Sequence, residues 1–171
     1  GCSHCGYRAV AVVVNTSIDR EVVGPGQESV WDYPRPPRLE LSKRRVRVAL
    51  DGVTIADSVR AFRVLETSHP PTYYVNPGDV VWDLVKPATA RATVCEWKGA
   101  AKYWTVQVGD SRVEAGAWSY PDPTPAFADL ADHVAFYPAL FECRLDDELV
   151  RPQPGAFYGG WVTNDLAGPF K

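Results

Sequence analysis

Residues 44–57 read RRVRVALDGVTIAD, and this stretch decides the fold. Val46, Val48 and Leu50 alternate with Arg47 and Ala49, the period of a strand with one face on a core. Asp51-Gly52 then supplies a turn. A type I′ hairpin needs positive φ at both central residues, and Asp-Gly tolerates that better than almost any other pair. Residues 53–57 return as the second strand. The stretch therefore predicts an antiparallel hairpin.

Moving toward the C-terminus, the same short-strand text recurs. Residues 62–67 and 73–75 read as strands, the latter closed by Pro77-Gly78. Residues 80–85 fit a strand or a helical turn. Residues 92–97 and 101–108 pair around Gly99, and 112–118, 134–137 and 140–145 complete the set. One short helix is predicted over 125–133: Thr124 caps it, Pro125 suits its first position, and Phe127, Leu130, Ala131 and Val134 share a face. Strands every 8–12 residues with turns between them predict an all-β domain of antiparallel sheets.

Toward the N-terminus the text changes. Residues 1–40 contain Gly24-Pro25-Gly26 and Pro34-Arg35-Pro36-Pro37, which favour extended chain over central strand. They read as an arm preceding a single domain over 41–171, and as a route to a homodimer. Met is absent and the chain opens on Gly1, so its start reads as processed or as a tag remnant, with part of the 1–40 arm open to the same origin.

The chain has 171 residues and a formal net charge of −3. That size builds its own core. The acidic balance argues against nucleic acid and anionic membrane as partners. No apolar run reaches the roughly 18 residues of a membrane helix. Four cysteines, Cys2, Cys5, Cys95 and Cys143, at this low density read as reduced thiols in a cytoplasmic protein. Cys2-Ser3-His4-Cys5 is a lone C-x-x-C without a second close pair, so no metal and no cofactor is expected.

Candidate chemistry centres on residues 93–106, TVCEWKGAAKYWTV. Two hairpin registers are open. With Lys98-Gly99 at the turn, Cys95 opposes Lys102; with Gly99-Ala100, it opposes Trp104. A neighbouring ammonium favours thiolate and makes Cys95 nucleophilic, whereas a strand cysteine is otherwise a small buried hydrophobe. Glu66 shares a face with Phe62 and Val64, so it points inward and needs a basic partner, Lys98 or an arginine. His69 sits in a loop before two prolines and reads as exposed. Tyr73 and Tyr74 alternate, one in and one out. Tyr74, Trp97, Tyr103, Trp118 and Tyr120 form the walls of an aromatic pocket for a small molecule. Ser42-Lys43-Arg44-Arg45 is a basic run, read as a strand-edge guard rather than a phosphate site. Asp146-Asp147-Glu148 puts three acids together, but strand neighbours point to opposite faces and do not converge on one ion.

The stretches RVRVALDGVTIADSVRAFRVLETSHPPTYYVNPGDV, TVCEWKGAAKYWTV, AWSYPDP, HVAFYP and FYGGWVTNDLAGPFK together resemble the domain of unknown function family numbered 427, over about residues 28–171. The last of them resembles the tail of bacterial members. The resemblance implies a small β-tent or β-complex fold, two antiparallel sheets leaning together. It also implies weight on the Cys95-x-x-Lys98-Gly99 motif, and it brings a nucleotidyltransferase-like label. Three readings follow: a small-molecule-binding domain with Cys95, Lys98 and Glu66 as catalytic candidates, a non-enzymatic protein-interaction module, and the transferase of the label.

Overall fold

The computed structural model describes residues 19–155 and 159–170. Cys2 and Cys5, on which a metal reading would turn, lie outside the described residues. The longer strands are β1 Arg38–Leu41, β2 Val46–Leu50, β3 Val53–Ser58, β4 Phe62–Leu65, β5 Thr72–Tyr74, β6 Val85–Pro87, β7 Thr93–Cys95, β8 Gly99–Val108, β9 Ser111–Ser119, β10 Val134–Phe136 and β11 Glu142–Leu145. The all-β class is as expected, and the pairing divides into several sheets. One has the order β10-β9-β8-β6 with β7 also on β8, one runs from Glu148–Leu149 through β11 and β2 to β3, and one is β1-β4-β5. Two short ladders add to these, Glu28–Ser29 parallel to Leu166–Ala167 and Arg151–Pro152 antiparallel to Trp161–Val162.

The β2–β3 hairpin forms as read. Leu50 pairs with Val53 across the turn, and Asp51 and Gly52 have φ of 49° and 76°. Residues 80–85 resolve as a 3₁₀ turn, Trp82–Leu84, leading into β6. The predicted helix is shorter and of another type: a 3₁₀ segment, Pro125–Leu130, broken at Phe127. Thr124 holds the N-cap position, and its carbonyl accepts the Phe127 amide at 2.9 Å, but its side chain makes no cap bond; the hydroxyl donates to the Trp97 carbonyl at 2.5 Å.

Two hydrophobic cores meet at β5. Tyr73 joins Val46, Val48, Ile55, Phe136 and Trp161 in the larger one. Tyr74 joins Val64, Cys95, Trp118, Tyr120 and Phe127 in the other. Both tyrosines are therefore buried, which corrects the expectation that one faces solvent: β5 is covered on both faces. Each ring contributes roughly 1.5–3 kcal/mol of apolar burial. Among the described residues, no helix is long and apolar enough to cross a membrane.

Candidate functional site

The second core carries the site. The turn joining β7 to β8 differs from both open registers. Cys95 pairs with Gly99, so Glu96, Trp97 and Lys98 form a three-residue loop. Such loops close on a residue of positive φ, and Gly99 sits at +106°. A Cβ there would also lie 3.1 Å from the Asp122 carbonyl oxygen, so only glycine fits. Lys98 thereby leaves the strand ladder and turns inward.

The loop is fastened from outside. The Thr124 amide donates to the Lys98 carbonyl at 3.1 Å, beside the Thr124 hydroxyl bond to Trp97. Lys98 is 1% exposed, and its Nζ lies 5.8 Å from the Tyr120 ring centroid and 6.0 Å from that of Phe127. An ammonium so placed draws on both ring faces.

Glu66 follows β4 directly and is 5% exposed. The inward reading from its alternation with Val64 is what the structure shows. Burial pushes its carboxyl up to about 7; the charge of Lys98 opposes that rise most, followed by Arg35, while Glu96 adds to it. Arg35 Nε stands 3.7 Å from Glu66 Oε1, close enough for an ion pair but too far for a good hydrogen bond. Among the described residues, Oε1 has no hydrogen-bond partner, and it is buried. The carboxyl thus lies between two cations that attract it without saturating it.

The aromatic residues pack as a cluster. Trp118 donates its indole N–H to the Tyr74 hydroxyl at 3.4 Å, and its ring lies tilted against Tyr137 with centroids 4.5 Å apart. Tyr74 and Tyr120 ring centroids are 6.2 Å apart. Tyr103 pairs with Trp118 across β8 and β9, and its hydroxyl shares a 2.8 Å bond with Thr93. Trp97 packs at the margin of the same core from its place in the loop.

Cys95 is 1% exposed and disulfide-bonded. The reduced-thiol expectation is corrected there, and the cytoplasmic reading loses the support it took from it. A sulfur in a disulfide carries no thiolate to act as nucleophile. Cys143 is a free thiol, buried in the larger core, and burial pushes its pKa up. His69 is buried, not exposed: its amide donates to the Glu66 carbonyl at 3.1 Å, and the Gln153 amide lies 3.3 Å from its Nδ1.

Sequence reasoning missed three participants. Arg35 comes from the Pro-rich segment, whose pattern carries no signal for reaching β4. Tyr137 stands one residue past β10, and its contact with Trp118 is long-range. Gly159 lies against the indole, where an added Cβ would come within 2.3 Å of Trp118 Cη2; the Gly159-Gly160 pair in FYGGWV was its visible trace.

The acids of the 146–148 run separate. Asp146 accepts from Arg44 Nε at 2.9 Å and from the Arg45 amide, and Asp147 pairs with Arg47 at 2.8 Å. Among the described residues, no three His, Cys, Asp or Glu gather as a metal site.

No curated protein matches this chain. A family model described as a domain of unknown function (DUF427) matches residues 38–151 of the 171, from β1 to just past β11. The match contains Glu66, Tyr74, Cys95, Lys98, Trp118 and Tyr120, and leaves Arg35 and Gly159 outside it. On that span, two thirds of its length, the chain belongs to the DUF427 family.

Proposed function

We propose that this chain is a small-molecule-binding domain whose site is the Glu66–Lys98 centre and the rings of Tyr74, Trp118 and Tyr120, with Tyr103 and Trp97 at its margin. The observation that carries the reading is the Glu66 carboxyl: buried, flanked by two cations, and with one oxygen that takes no hydrogen bond from the described residues. A fold leaves a buried acceptor empty at a cost of about 1–3 kcal/mol, and such groups concentrate where a ligand completes them. A ligand with a donor group on a flat body would satisfy Oε1 and lie against the rings. A carboxyl that titrates near neutrality also gives and takes protons at working pH, which suits Glu66 as a general acid or base. Cys95 enters any reaction as a disulfide sulfur, so a covalent role for it requires prior reduction.

The interaction-module reading would need the rings on the surface, and Trp118, Tyr74 and Tyr120 are each 0% exposed. The transferase reading would need converging carboxylates, whereas Asp146 and Asp147 go to separate arginines and Glu148 takes the Asn164 amide. Neither gains an observation of its own.

The test is mass spectrometry of small molecules released from the protein purified from its host, beside Glu66→Gln prepared in parallel. Wild type should release a compound that the variant lacks, with the variant equally well folded by its melting curve. Equal retention by both would sink the reading.

A further inference from the structure

Arg35 stands on the outer side of the Glu66 centre. Its side chain is 36% exposed, against 6% for that of Glu66, and their ion pair at 3.7 Å runs through Nε. Beyond that one approach, the guanidinium makes no ion pair and no hydrogen bond among the described residues. Other arginines of the fold are spent differently: Arg44, Arg45, Arg60 and Arg63 each close on a carboxylate at 2.6–2.9 Å.

The segment that carries Arg35 is fastened against the end of β4. The Thr67 amide donates to the Pro34 carbonyl at 3.2 Å, the Thr67 hydroxyl donates to the Tyr33 carbonyl, and the Ser68 amide donates to the Val30 carbonyl at 2.9 Å. Pro34 before Arg35, and Pro36 and Pro37 after it, restrict the chain on both sides. The backbone is thus fixed beside Glu66, while the guanidinium stops short of a hydrogen bond to it.

A guanidinium offers a planar fork that a carboxylate meets with two parallel hydrogen bonds. Glu66 does not fill that fork, and its buried Oε1 takes no hydrogen bond from the described residues. The two unmet groups adjoin. An acid group fits Arg35, a donor fits Oε1, and 3.7 Å between Nε and Oε1 brings the two ligand groups within a few bonds of each other. We infer, on the strength of the small-molecule reading of this centre, that Arg35 anchors the ligand's acid group, so that the ligand is a small flat acid with a hydrogen-bond donor close to its carboxylate. Arg35 is then a specificity residue. A neutral molecule of the same shape leaves the fork unmet, and a cation meets it with like charge. The family match begins at residue 38, so this preference comes from the segment ahead of it.

Anthranilate carries its amine on the ring atom next to the carboxylate, and anthranilamide is its uncharged counterpart. Isothermal titration of the full chain at low salt should show anthranilate binding at least about tenfold tighter than the amide. Arg35→Gln should erase that preference, weakening anthranilate about tenfold and leaving the amide as it was, with a melting curve to confirm the fold. Arg35→Lys keeps the charge and loses the fork, and should fall between. Glu66→Gln should weaken both probes. Equal binding of the two, weakened by Glu66→Gln but not by Arg35→Gln, would overturn the acid anchor and leave the small-molecule site standing. Binding indifferent to Glu66→Gln would put the probes elsewhere and overturn it too. So would no heat from either probe up to tens of millimolar, while a compound released by wild type and lost in Glu66→Gln would still uphold the site itself.

Discussion

The 146–148 turn and the Glu66–Lys98 centre use the same kinds of charge and opposite strategies. At the turn, Asp146 pairs with Arg44 at 2.9 Å and Asp147 with Arg47 at 2.8 Å, and Asp147 is 99% exposed. Water screens such pairs, and they contribute little. In the second core, Glu66 and Lys98 are both nearly sealed from solvent, and one oxygen of the carboxyl has no hydrogen-bond partner among the described residues. Charge at the surface is cheap and says little about purpose. Charge held in a core at a standing cost says a good deal, because the surrounding packing must sustain it.

That contrast is broken most directly at Lys98. Lys98→Met removes the charge that most opposes the rise of Glu66, and should lower stability by about 3 kcal/mol or more at pH 8. At pH 6, where Glu66 takes up a proton, the loss should be smaller. Asp147→Asn, its surface counterpart, should leave the melting temperature unchanged at both pH values. Denaturant melts of the two variants side by side would erase the distinction if they moved together.

The pH dependence of the wild type sharpens it. The folded carboxyl of Glu66 titrates near 7 and its unfolded value is about 4.5, so the folded state holds the extra proton between those values. Stability from this group is full below about pH 4.5 and declines as pH rises through 7, by on the order of 3 kcal/mol. Glu66→Gln should remove that slope and be at least as stable as wild type at pH 8. A wild-type curve that instead rises from pH 5 to 8 while the variant stays flat would mean Glu66 is stabilised as an anion, like the surface acids.

A smaller effect is expected at Gly159. Gly159→Ala puts a methyl into the Trp118 ring, and the displaced indole should cost about 1–3 kcal/mol. Tryptophan emission should shift with it. An unchanged spectrum and melting curve would show that this core yields where the buried pair does not.

Some of this was readable from residues alone. The Asp51-Gly52 hairpin was legible because a turn needing two positive φ values leaves few other choices. The burial of Glu66 was legible because side chains alternate along a strand. The loop at Lys98 was not: two registers fitted the pattern, and the third was fixed by Gly99 meeting Asp122, a contact between segments more than twenty residues apart. His69 failed for a similar reason, since Gln153 covers it from 84 positions away. The disulfide at Cys95 was hidden by the even, sparse cysteine count, which fits bonded and free thiols alike. Arg35 lay in text that argued only against a strand.

Thr124 holds the carbonyls of both Trp97 and Lys98, and Asp122 crowds Gly99. The loop bearing the buried amine and the 3₁₀ segment that starts beyond Thr124 are therefore joined by two hydrogen bonds and one tight backbone contact. Phe127, which sits under the amine, belongs to that same segment. On the proposed reading, a molecule that displaces the Lys98 amine would also have to break the two Thr124 bonds, which ties entry beside the lysine to the segment that begins there.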